Sequence, residues 1–152
     1  MIWLLRHGDA EAGEGKPDAE RELTEKGRRQ ARDAGRALAR RGVEIDACLS
    51  SEKVRAWDTA EIACAELKGV EVRAEARLRD REFNPLDIAG EHPGAELLLV
   101  GHEPDFSGAI ALVTGSRVKL KKGGLAAIDD HVLHALIRPK DLSLIARGGD
   151  PD

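Results

Sequence analysis

Leu4-Leu5-Arg6-His7-Gly8-Asp9 decides how this chain is read. The apolar run from Ile2 to Leu5 has the length of a short buried strand, and it stops at a cation, an imidazole and a glycine. Arg6 and His7 therefore stand at the carboxyl end of a strand, the edge at which open α/β sheets bind ligands. Gly8 has no Cβ, so the backbone can turn close to whatever His7 faces. Core packing offers no reason to set an arginine beside a histidine at this point.

Working outward, the same arrangement recurs twice. Ala47-Cys48-Leu49-Ser50 reads as a strand that leads into a helix with the stripe Ala56, Ala60, Ala63, Cys64 and Leu67. Ser50 and Ser51 are the predicted caps of that helix. Arg55 falls in its first turn, where the helix dipole disfavours a cation and a bound anion would remove the conflict. Glu96 to Val100 is the most apolar strand, and it ends on Gly101-His102-Glu103-Pro104. Pro104 suits a helix start, with Phe106, Ala109, Ile110 and Val113 as the buried stripe that follows.

The remaining segments fill in an alternating α/β pattern. Leu23-Thr24 opens a helix with Thr24 as N-cap, carried by Ala31, Ala34, Gly35, Leu38 and Ala39 and ended by Gly42. Before it lies a polar surface loop, Glu11 to Arg21. Val70 to Ala74 alternates as a third strand. Arg77 to Gly94 is charged, contains Pro85, Gly90 and Pro93, and predicts at most one helical turn. Strands are expected near Gly124 to Ile128 and Val132 to Arg138, with an edge strand at Val118-Lys119-Leu120-Lys121 and a short segment after Pro139.

Composition bounds the class. A chain of 152 residues with 41% hydrophobic and 34% charged residues predicts one globular domain over 1–152. A net charge of -4 gives no reason to expect a nucleic acid or an acidic membrane as partner. Cys48 and Cys64 sit in apolar surroundings without metal-site or redox-motif spacing, which predicts buried free thiols and a reducing compartment. With no basic leader and no long apolar stretch, the expected location is cytoplasmic.

Arg6, His7, Arg55 and His102 all fall where a strand ends or the next helix begins, so a parallel sheet would gather them at one edge. Paired arginines hold a tetrahedral anion in a way no lysine reproduces, and a neutral imidazole beside them is a competent phosphorus nucleophile. A metal hydrolase using His7, His102, Asp9 and Glu103 is a rival reading. Its spacing matches no compact ligand motif, and two arginines would repel the cation. A non-catalytic phosphate-binding or adaptor module and a phosphomutase are two further rivals.

Leu5-Arg6-His7-Gly8-Asp9, Arg21-Glu22-Leu23-Thr24-Glu25-Lys26-Gly27, the run Ser50 to Ala60 and Val100-Gly101-His102-Glu103-Pro104 together resemble the histidine phosphatase (phosphoglycerate-mutase-like) superfamily. Their order and spacing extend from Ile2 to Pro139. The small size, the Arg-His-Gly-Asp run and the short middle segment look most like its SixA branch, the phosphohistidine phosphatases. The resemblance implies a three-layer α/β/α sandwich on a mostly parallel mixed sheet, with no cofactor and no metal. It implies His7 as a nucleophile that is transiently phosphorylated, Arg6 and Arg55 as phosphate clamps, and His102 as a donor to a phosphoryl oxygen. Arg21 matches a further basic residue near the pocket. The implied activity is hydrolysis of a phosphoryl group from a phosphohistidine protein or a small phosphate ester. One departure concerns the acid. The family's longer acid-bearing segment is replaced here by Arg77-Leu78-Arg79-Asp80-Arg81-Glu82-Phe83, where Glu82, or else Asp80, is the candidate proton donor. A phosphoimidazole is a good leaving group and would need little acid help.

Overall fold

Successive strand side chains point to opposite faces, and here both faces are apolar. Ile2, Leu4, Leu97 and Leu99 belong to one hydrophobic core, and Leu5, Leu98 and Val100 to another. Strands buried on both sides read as continuous apolar runs, which is why Leu97 to Gly101 is wholly buried. The computed structural model describes residues 1–149. Residues 150–152, which the single-domain reading includes, lie outside the described residues.

In chain order the elements are β1 (Ile2–Arg6), α1 (Glu25–Arg40), β2 (Ala47–Ser50), α2 (Val54–Cys64), β3 (Val72–Ala74), α3 (Pro85–Gly90), β4 (Leu97–Gly101), α4 (Asp105–Thr114), β5 (Leu125–Asp129), β6 (Val132–Ile137) and α5 (Pro139–Ala146). The sheet order is β3-β2-β4-β1-β5-β6. The four strands β3, β2, β4 and β1 are mutually parallel, whereas β5 runs antiparallel to both β1 and β6. Helices α1, α2 and α5 cover one face through Ala34, Leu38, Ala60, Ala63 and Leu142. Helices α3 and α4 cover the other through Ile88, Phe106, Ala109, Ile110 and Val113. The result is the expected three-layer α/β/α sandwich on a mixed sheet. No helix among the described residues is long and apolar enough to cross a membrane.

Thr24 caps α1 as the sequence predicts, its hydroxyl accepting from the Gly27 N–H at 3.1 Å. Further along, α1 lies hard against α2. A Cβ on Gly35 would sit 2.3 Å from the Ala63 carbonyl oxygen, and the fully buried Ala56, Ala60 and Ala63 leave α2 no bulk to absorb the contact. Gly35→Ala is therefore expected to destabilise the protein by about 1–3 kcal/mol, because backbone must move to accept the methyl. Chemical denaturation checks this, and an unchanged midpoint would contradict the close approach.

Four expectations are corrected. Val118 to Lys121 forms no strand. Its backbone serves the region beyond β1 instead: the Leu120 carbonyl accepts from Arg6 Nη1 at 2.9 Å and the Leu120 N–H donates to the Glu103 carboxylate at 3.2 Å. Arg77 to Gly94, expected to hold at most one helical turn, contains both the end of the 3₁₀ turn Ala76–Leu78 and the six-residue helix α3, which Pro85 starts and Asn84 caps. The segment after Pro139 is the helix α5, anchored by the buried Leu142. Finally, the N-cap position of α2 falls on Lys53, with no side-chain capping bond, and not on Ser50 or Ser51.

Candidate active site

Register brings the two histidines together. β1 and β4 are paired so that Arg6 lies opposite Gly101, which makes His7 and His102 the next residues beyond each strand. The His7 N–H donates to the Gly101 carbonyl at 3.0 Å and continues the ladder by one bond. Their rings end up 5.3 Å apart between centroids, tilted by 53°. On the other side of β4, Ser50 lies opposite Val100, and the Ser51 N–H reaches the Val100 carbonyl at 3.1 Å. That turn starts α2 beside the histidines and carries Arg55 with it. Gly8 is required by crowding: a Cβ there would meet the Gly27 carbonyl oxygen at 2.5 Å, while its N–H donates to Thr59 Oγ1 at 3.1 Å.

Hydrogen bonding sets the proton position on the His7 ring. His7 is buried, and its Nδ1 lies 2.7 Å from the Gly8 carbonyl oxygen. A carbonyl can only accept, so Nδ1 carries the hydrogen and Nε2 keeps its lone pair. Burial foremost, then the charges of Arg55, Arg6 and Lys122, push the His7 pKa down to about 4, against the opposing pull of the Gly8 carbonyl. His102 Nε2 lies 2.8 Å from Ser51 Oγ, which already accepts from the Lys53 N–H at 3.3 Å. With the serine hydroxyl donating to Nε2, the ring hydrogen is assigned to Nδ1, the tautomer that lets His102 meet an anion. Burial, followed by His7, Arg55 and Lys53, lowers the His102 pKa to about 3.

These shifts carry a sign for stability. Unfolded histidines take up protons near pH 6.5, whereas the folded ones stay neutral down to about pH 4 and 3. The unfolded state therefore binds more protons across that window, so stability rises with pH from about 4 to 6.5 and falls on acidification. Urea midpoints measured through the window should show this slope, and His102→Gln should make it shallower. A slope unchanged by that substitution would contradict the assignment.

Three buried side-chain nitrogens find no hydrogen-bond partner among the described residues: Arg6 Nε, Arg55 Nε and His102 Nδ1. The charges of both arginines act on His7, and that of Arg55 on His102, so these donors share one neighbourhood. A buried unpaired donor costs about 1–3 kcal/mol, and an oxyanion that reaches one of them would relieve that cost. Arg6 is deprived further, its pKa lowered by burial and by Arg55, with Glu103 opposing. The structure thus places Arg6, His7, Arg55 and His102 in one neighbourhood.

Several neighbouring residues join them. Lys53 is buried, and its ammonium bridges the carboxylates of Asp18 and Asp80. Asp18 also accepts from Arg55. Arg21 does not meet the phosphate donors directly: its Nε donates to Asp18 Oδ1 and its Nη1 to the Glu11 carbonyl, each at 3.1 Å. Of the two candidate proton donors, Asp80 lies against Lys53 and its charge acts on His102. Glu82 lines a groove of about 580 Å³ together with Phe83, Pro104, Asp105 and Leu112. The carboxylates of the metal reading are engaged by hydrogen bonds within the protein. Asp9 accepts from Thr24 Oγ1, and Glu103 from the Ser107 and Leu120 N–H groups. Sequence reasoning gives Lys53, Ser51, Thr59 and Asp18 no place in the pocket; the one available signal is Lys53-Val54-Arg55, two cations at a helix start.

Comparison with known proteins agrees with this fold. The sequence profile of the histidine phosphatase superfamily (branch 1) matches residues 2–97. An uncharacterized protein of Picosynechococcus sp. is 31% identical over 137 residues, covering 84% of this chain and 83% of that protein. A 2,3-bisphosphoglycerate-dependent phosphoglycerate mutase of Nitrobacter winogradskyi is 33% identical over 114 residues, and the match spans 66% of this chain but 53% of the mutase. Among solved structures, the protein histidine phosphatase SixA complexed with tungstate superposes with a TM-score of 0.83 at 22% identity, covering 93% of this chain and 98% of that one. Phosphoserine phosphatase from Entamoeba histolytica with 3-phosphoglyceric acid gives 0.75 at 16% identity, covering 93% and 98%. The chain belongs to the histidine phosphatase superfamily (branch 1).

Proposed function

We propose that this protein is a metal-independent phosphatase that moves a phosphoryl group first to His7 Nε2 and then to water. The observation that carries the reading is three unpartnered N–H donors around a neutral imidazole whose Nδ1 is held by a backbone carbonyl. In the first step the Nε2 lone pair attacks phosphorus in line, the Nε2–P bond forms and the bond to the leaving group breaks. Arg6, Arg55 and His102 Nδ1–H meet the charge on the three equatorial oxygens, where most phosphoryl-transfer catalysis resides. In the second step water attacks phosphorus, the Nε2–P bond breaks and phosphate departs.

Asp80 favours one class of leaving group. Its hydrogen bond to Lys53 holds its carboxyl below the usual range, so it stays ionised and is a poor acid. An ionised carboxylate suits the removal of a proton from water better than the protonation of an alkoxide. That supports phosphohistidine, whose imidazole leaves readily, as the substrate on a partner protein. A small ester with a good leaving group fits the same chemistry.

The test is a substrate screen that sets a phosphohistidine protein against sugar phosphates and nucleotides, with and without EDTA. Turnover of phosphohistidine that resists EDTA and is inhibited competitively by tungstate is expected. Activity lost in EDTA and restored by zinc or magnesium would overturn the metal-independent mechanism. Tight phosphate binding without any turnover would favour the adaptor reading.

A further inference from the structure

The phosphoryl pocket already contains an anion of its own. Asp18 sits in a single 3₁₀ turn, Asp18–Glu20, on the loop before α1. One N–H from each terminal nitrogen of Arg55 is taken by this residue, Nη1 by its backbone carbonyl at 2.8 Å and Nη2 by Oδ2 at 3.2 Å. The same Oδ2 accepts from Lys53 Nζ at 2.7 Å, and Arg21 Nε binds the other oxygen, Oδ1, at 3.1 Å. Lys53 is shared with Asp80. Three cations from two segments therefore fix one carboxylate, and that carboxylate is fully committed.

Exposure shows which way this clip is polarised. The side chains of Lys53 and Arg55 are each 7% exposed, whereas those of Asp18 and Asp80 are 55% and 59% exposed. Positive charge lies inside and negative charge faces the solvent. A phosphoryl group entering the pocket would use Arg55 Nε, which has no protein partner among the described residues. In-line attack by His7 puts the leaving group on the side of phosphorus opposite the imidazole. The exposed side of the clip consists of two carboxylates, and the lysine that would receive a second anion is already paired with both.

We propose that Asp18, assisted by Asp80, determines specificity by excluding leaving groups that carry a second negative charge. The site then accepts phosphoryl groups on neutral or cationic leaving groups, and it discriminates against phosphorylated carboxylic acids and bisphosphates. This rests on the phosphatase reading for the position of the leaving group. Lys53 and Arg55 also hold the Asp18 carboxyl well below the usual range, so the exclusion operates at any working pH. At a partly exposed rim, one like charge within several ångströms is worth about tenfold in affinity, and added salt weakens it.

The experiment compares two ligands that differ in one charge, 4-carboxyphenylphosphonate and its neutral carboxamide, by calorimetric titration of the whole protein. Neither is hydrolysed, so binding is read independently of turnover. The wild type is expected to bind the carboxamide about tenfold more tightly. Asp18→Asn, which keeps hydrogen-bonding groups for Arg55 and Lys53, should bring the two within about threefold, and Asp18→Glu should restore the gap. Asp80→Asn should narrow it as well, which provides a second route if Asp18→Asn does not fold. Equal wild-type affinities, a gap that persists in both asparagine variants, or no binding of either phosphonate would overturn the proposal. A charge-dependent gap in a protein that turns over no phosphoryl substrate would refute the phosphatase reading and leave the exclusion standing.

Discussion

Replacing His7 by alanine is expected to lower kcat/KM by at least about four orders of magnitude while the protein stays folded, the scale of losing a covalent nucleophile. The expectation rests on position and proton location. His7 follows a strand whose Leu4 and Leu5 are fully buried, and its backbone N–H is fixed to Gly101. Its ring is tied through Nδ1 to Gly8, so Nε2 is both oriented and unprotonated. Attack distance is thus set before substrate arrives, which is where much of the rate gain of a positioned nucleophile comes from. With its pKa pushed down to about 4, the imidazole is neutral throughout the physiological range. The acid limb of kcat/KM should accordingly lie well below pH 6, apart from any contribution of the substrate's own ionisation. His7→Ala activity within tenfold of wild type, in a protein with native circular dichroism, would contradict the role.

Arg55→Ala is expected to cost about 10³-fold in kcat/KM, by comparison with arginines that stabilise phosphoryl transition states elsewhere. Arg55 is buried, supplies an unpartnered Nε and holds Asp18 through both terminal nitrogens. Its removal would take away a proposed phosphate donor and loosen its hold on Asp18 together. Arg55→Lys should recover only a small part of the loss, because a lysine presents a point charge in place of a fork of donors. The exposed Arg36 on α1 is the control: it pairs at the surface with Glu66, and Arg36→Ala should change activity little. Steady-state kinetics on the three folded variants decide the matter, and near-normal kcat/KM in Arg55→Ala would mean that the pocket is wrongly drawn.

How much of this is legible in the sequence follows from the range of the interactions. Strand ends at Arg6, Ser50 and Gly101 can be read because burial on both faces gives uninterrupted apolar runs that stop where chemistry begins. The Thr24 cap is legible because capping is local. The clip on Asp18 is not, since Lys53 pairs with a residue 35 positions away and no local pattern joins them. A serine before a helix usually caps it, whereas the Ser51 hydroxyl is engaged with His102. Val118 to Lys121 alternates like an edge strand, yet Leu120 commits its backbone groups to Arg6 and Glu103. Arg21 is expected near the pocket only through a resemblance, and its bond to Asp18 sets it one residue outside the phosphate donors.

Rapid quenching with phosphorus-labelled substrate decides whether the phosphoryl group passes through His7. The expected result is an acid-labile, alkali-stable phosphoryl label that maps to the peptide containing His7 and is absent from His7→Ala. Label that persists in His7→Ala, or that maps to His102, would contradict it.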